Sequence, residues 1–115
     1  MSTYRMNDTT PLSWAQTAPR LVAVAAGRST ADTVIRNGIW VNVHTRECLP
    51  GHDIAIAEGR IAYVGTDASH CVGSDTEIID ADGRYMIPGL CDAHMHIESG
   101  MLTPAEFARA VIPHG

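Results

Sequence analysis

Short runs of β-branched and aliphatic residues, each broken by a dipeptide ending in Gly, fill the middle of the chain and restrict it to a small β-rich fold. Residues 33–36 and 39–43 flank Asn37-Gly38, residues 53–57 and 60–64 flank Glu58-Gly59, and residues 76–80 and 84–87 flank Asp82-Gly83. Asn-Gly or Asp-Gly between such runs is the strongest short-range signal for a two-residue hairpin, because both positions must accept positive φ. Six strands so placed predict a small antiparallel sheet or sandwich over residues 32–88. A hydrophobic fraction of 45% supports a packed core, and 115 residues suffice for one ordinary domain rather than two.

The flanks read differently. Residues 1–19 are rich in Ser, Thr, Asn and Pro without periodicity, which predicts a loose or partner-docked arm. The Leu/Val/Ala run over residues 20–27 predicts a short helix closed by Gly27 in a left-handed cap, so that residues 1–31 form an arm and a short helix. The stretch from Gly65 to Asp75 reads as a polar connection in which His70 and Cys71 are incidental, and His44 and His52 read as exposed turn residues. Near the end, Thr103-Pro104-Ala105-Glu106 combines a capping hydroxyl, Pro at the first helical position and Glu three residues after the cap. A helix over residues 104–112 follows, with Phe107, Ala108, Val111 and Ile112 spaced to pack onto a sheet. His114 there suits the negative end of the helix dipole.

Charge excludes one large class of partner. The formal net charge is −5 and every basic residue is Arg, so no basic patch is available for nucleic acid or anionic lipid. The longest uninterrupted apolar stretch, residues 21–26, is far short of a membrane span. Three cysteines, Cys48, Cys71 and Cys91, lack Cys-x-x-Cys spacing and fit reduced thiols, with Cys91 expected as a small buried residue. The chain reads as cytoplasmic.

Chemistry concentrates in Pro88-Gly89-Leu90-Cys91-Asp92-Ala93-His94-Met95-His96-Ile97-Glu98-Ser99. On a strand, side chains alternate, so Asp92, His94 and His96 share one face. Two adjacent imidazoles can bind one divalent cation, and a carboxylate beside them can accept the second ring proton and fix the tautomer. With 6 His in the chain, His-x-His arises by chance about 0.3 times, so the context carries the weight. That context is a Pro-Gly turn, an apolar entry and a polar exit, the form of a buried strand ending at a functional loop. The plainer alternative is a half-exposed strand whose histidines bond to backbone, with Glu98 a solvated loop charge and Asp92 a strand terminator. Strand, loop and helix together make one β/α unit, which needs parallel neighbours on both sides, so a longer polypeptide is expected.

The β-rich segment, the run from Ile87 to His96 and the helix after it resemble the start of an amidohydrolase-superfamily metalloenzyme. Within that superfamily, the stretch from Asp92 to Gly115, with Ile97-Glu98-Ser99-Gly100-Met101-Leu102-Thr103-Pro104 and Pro113-His114-Gly115, is most similar to the adenine deaminase family. The family usually has a second Ser where this chain has Gly100. The resemblance implies a small composite β domain, here residues 32–88, followed by the first β/α unit of a metal-dependent (β/α)8 TIM barrel, residues 89–115. Strand one would be residues 90–97, with the imidazoles at the end where barrel active sites lie.

The resemblance further implies that His94 and His96 bind one metal of a two-ion centre of Mn, Fe or Zn, and that Asp92 orients an imidazole. Glu98 and Ser99 would lie in the first active-site loop. The implied reaction is hydrolytic deamination of adenine to hypoxanthine and ammonia in purine salvage, with water activated by metal and a carboxylate shuttling protons. No acid/base residue falls in this segment; those residues and the remaining ligands belong to the rest of the same polypeptide, without which the segment is expected to be inactive. A homo-oligomer acting on a small molecule, without nucleic acid or membrane, completes the expectation. A related hydrolase of a cyclic amide or N-acetyl group, and a non-catalytic β-rich binding module, are the alternatives.

Overall fold

Residues 12–114 are described by a computed structural model of the protein. The arm expected at residues 1–19 lies outside the described residues up to position 11; from there on, helix replaces it. Helix α1 spans Trp14–Ala25, with the Gln16 side-chain carbonyl accepting from the Ser13 N–H at 2.8 Å at its start. Pro19 sits inside the helix, where it removes one backbone hydrogen bond. The helix persists because Thr17, Leu21 and Val24, spaced four and three apart, are all buried along one stripe. Packing thus overrides the local composition that favoured a loose arm. At the other end Gly27 adopts φ 67°, the left-handed conformation expected of a closing glycine.

Five strands follow: β1 (Thr33–Asn42), β2 (Glu47–Ala57), β3 (Arg60–Gly65), β4 (Glu77–Asp80) and β5 (Tyr85–Met86). They form one sheet ordered β3-β2-β1-β4, with β5 also paired to β1. The β1–β2 and β2–β3 pairs are antiparallel, but β4 and β5 run parallel to β1. The sheet is therefore mixed, where a wholly antiparallel one was expected.

The difference traces to Asn37-Gly38. Instead of turning the chain, the pair forms a bulge in one continuous strand, with Asn37 at φ 56° and the β1–β2 register shifting around Gly38. Asp82-Gly83 likewise makes no hairpin. It bulges opposite Asn37, at φ 50° and 72°, and the Gly83 N–H donates to the Asn37 carbonyl at 2.9 Å. Two facing interruptions keep β1 in step with β4 before them and β5 after them. Only Glu58-Gly59 is the tight hairpin its sequence predicted, with φ 52° and 66° joining β2 to β3. The β1–β2 turn falls at residues 43–46, where Asn42 Oδ1 accepts from the His44 N–H at 3.1 Å and Arg46 takes φ 62°.

Helix α1 lies on β2 and β3, and the core it closes contains Leu21, Val24, Ala31, Val34, Ala55, Ala57, Ala68 and Cys71. Alternation on β2 sends Ala55 and Ala57 inward and Ile54 and Ile56 to the opposite face, where they line an open apolar cavity of about 480 Å³ with Trp40, Ile61 and Tyr85. Asp53 is the buried charge of the inner face, and both its oxygens are used: Oδ1 accepts from the Asn37 N–H and Oδ2 from the Ala68 N–H. His70 is built into the frame. Its Nε2 lies 3.1 Å from the Ala25 carbonyl at the end of α1, and its ring meets Tyr63 edge-on. His44 is exposed and His52 partly covered beside Trp40.

Candidate metal centre

Beyond β5 the backbone changes character. Residues 87–96 form no regular strand, Ile97–Gly100 make a single 3-10 turn, and α2 spans Pro104–Val111. A barrel-type strand needs neighbours on both sides to pair its N–H and C=O groups, and the described residues offer this segment none. The expected strand over residues 90–97 is therefore absent from the described residues. Helix α2 starts as its sequence predicted, with Thr103 Oγ1 accepting from the Glu106 N–H at 3.3 Å. No residue of α2 is buried. Its Phe107 and Val111, with Ile112 beyond it, face Leu90, Met95 and Ile97 across a cavity of about 430 Å³, instead of packing onto the sheet.

The two imidazoles nevertheless converge. His94 Nε2 and His96 Nε2 lie 2.9 Å apart, with ring centroids at 4.9 Å and planes inclined by 54°. On the far side of the second ring, His96 Nδ1 lies 2.8 Å from Glu98 Oε1. An ionised carboxylate only accepts, so His96 Nδ1 donates to Glu98, and the two Nε2 atoms face each other. Glu98 is held below the usual carboxylate range, first by the hydrogen bond from His96 and then by its own backbone N–H, against a small opposing effect of burial. The site is open: the His96 and Glu98 side chains are 64% and 73% exposed.

Asp92 does not reach an imidazole. Its Oδ1 accepts from the His94 backbone N–H at 3.0 Å, an Asx turn that sets the chain's direction into the pair. Ser99 is exposed in the 3-10 turn, its N–H donating to the His96 carbonyl at 3.3 Å. Cys91 is exposed, contrary to its expected burial, because the segment that would have enclosed it is not in a sheet; Cys71 is the buried thiol instead. The Glu98–His96 contact was missed by reading Glu98 only as a loop residue. The spacing of two between them, inside a turn that curls back, is the signal that carries it.

Two imidazole nitrogens 2.9 Å apart suit one divalent ion bonded to each at about 2.0–2.1 Å, and neutral imidazole is the commonest metal ligand. Among the described residues no group of three His, Cys, Asp or Glu side chains is arranged to hold a metal. The donor set therefore fits part of a metal centre.

No protein-family model matches the chain. Among curated proteins it is similar to "Adenine deaminase" of Ruegeria pomeroyi, 79% identical over 110 residues that cover 96% of this chain and 18% of that protein. It is 71% identical over 103 residues to "Adenine deaminase" of Roseobacter denitrificans, covering 90% of this chain and 17% of that protein. The protein of the same name from Clostridium botulinum is 52% identical over 108 residues, covering 94% and 18%. A crystal structure from Bacillus thuringiensis aligns at 31% identity over 58% of this chain and 90% of its own, with a TM-score of 0.47. The chain spans less than a fifth of the length of the curated relatives it matches. Within that span it matches the N-terminal part of proteins named adenine deaminase.

Proposed function

We propose that this chain is the metal-binding opening of an adenine deaminase, which hydrolyses adenine to hypoxanthine and ammonia. The observation that carries the reading is the 79% identity to a protein of that name. With 110 of 115 residues aligned, the stretch from Asp92 to Ser99 lies inside the match. In this reading residues 32–88 are the first part of the small β domain and residues 89–115 the first β/α unit of a (β/α)8 barrel. His94 and His96 hold a divalent ion of a centre with two, drawn from Mn, Fe and Zn. When bound, such an ion supplies Lewis-acid activation of water.

What this chain's own residues contribute is placement. Asp92 turns the backbone so that His94 follows in register, the two imidazoles present nitrogens to one point, and Glu98 occupies the outer edge of the second ring. The other ligands and the acid/base carboxylate come from the rest of the longer polypeptide, so residues 1–115 alone do not turn over adenine. Reduced Cys48, Cys71 and Cys91 accord with a cytoplasmic setting.

The test is substrate discrimination by the polypeptide at the length of its relatives. Ammonia release from adenine, with none from cyclic amides or N-acetyl compounds, is the expected result. Turnover of a cyclic amide with adenine untouched would move the chain to another branch of the superfamily, and no turnover of any of these would overturn the catalytic reading.

A further inference from the structure

We propose that Glu98 is a positioning residue: its carboxylate, on His96 Nδ1 at 2.8 Å, holds that ring in the tautomer whose Nε2 lone pair faces the metal. The inference rests on the proposed metal centre and goes further, since it assigns the orienting carboxylate to the loop instead of to the strand-end residue Asp92. Two observations carry it. Asp92 Oδ1 accepts from the His94 backbone N–H, and among the described contacts neither of its oxygens bonds to a ring. And the nitrogen of His96 opposite Glu98 is the one that meets His94 at 2.9 Å, so the same contact that fixes the proton also aims the lone pair at the shared point.

Outer carboxylates of this kind raise ligand basicity and fix ring orientation, and losing one typically weakens metal binding by about 10–100-fold. The two histidines differ here. His96 Nδ1 has the Glu98 carboxylate beside it, whereas the described contacts give His94 Nδ1 no side-chain partner.

The experiment compares Mn²⁺ and Zn²⁺ affinity of the polypeptide at the length of its relatives with that of its Glu98→Ala and Glu98→Gln variants. Circular dichroism checks that both variants keep the fold. Gln keeps an oxygen that accepts from Nδ1–H but loses the charge. The expected result is a loss of about 10–100-fold for Glu98→Ala and a smaller loss for Glu98→Gln. Nitrogen NMR of the metal-free protein should show His96 as the Nδ1–H tautomer, with the signature lost in Glu98→Ala. Wild-type affinity in Glu98→Ala, or equal losses in both variants, overturns the positioning role while leaving the metal centre standing. A wild-type protein that binds neither ion overturns both.

Discussion

At the scale of single residues, burial decides which side chains are available for chemistry. Burial pushes the Cys71 thiol up from its ordinary range, with the nearby Asp67 carboxylate adding to the effect, while Cys48 and Cys91 are exposed. A thiol reagent should therefore modify Cys48 rapidly in the native protein and Cys71 only in denaturant; rapid native modification of Cys71 would contradict this core. Asp80 gives a second expectation. Its carboxyl is held below the ordinary carboxylate range, first by the Asp82 N–H at 2.8 Å and then by the Asn37 amide. A depressed native pKa means that the contribution is complete above the ordinary carboxylate pKa of about 4 and disappears as pH falls through the native value. Comparing wild type with Asp80→Asn in denaturant, the stability difference should shrink as the solution is acidified below about pH 4. A difference independent of pH would contradict it. The sequence pointed to His94 and His96, because their chemistry is local. It misassigned Cys91 and the carboxylate beside the imidazoles, because both depend on how the backbone bends.

At the scale of elements, tertiary pairing decides what a turn dipeptide becomes. Asn37-Gly38, Glu58-Gly59 and Asp82-Gly83 all adopt positive φ at both positions except Gly38, yet only Glu58-Gly59 reverses the chain. The dipeptides announce where the backbone can take an unusual conformation; whether it bulges or turns depends on the strand across from it, which no local pattern contains. Helix α1 has the same lesson in reverse. Ser-, Thr- and Pro-rich composition argued against a helix before residue 20, and the buried stripe of Thr17, Leu21 and Val24 carries the helix through Pro19 all the same. Since that stripe closes the core, Leu21→Ala should cost about 2–3 kcal/mol in denaturant unfolding, as for other buried leucines. A cost below about 0.5 kcal/mol, typical of surface changes, would mean that α1 does not seal the sheet. Helix α2, by contrast, was legible from its cap alone, because Thr103-Pro104 is local chemistry.

At the scale of the whole molecule, the inner face of the sheet is closed, whereas its outer face and the segment after it stay open. The inner face is closed by α1, and Asp53 satisfies two backbone donors across the bulge. Residues 87–114 instead bring an exposed imidazole pair, a carboxylate and an open apolar cleft, all features that a larger polypeptide would complete. That arrangement agrees with a chain that spans less than a fifth of the length of its curated relatives. The most direct measurement is metal content alongside adenine turnover, for the polypeptide at the length of those relatives and for its His94→Ala/His96→Ala double variant. Bound metal and ammonia release from adenine are expected in the wild type, and loss of both in the double variant. Metal and turnover equal to wild type in the double variant would contradict it.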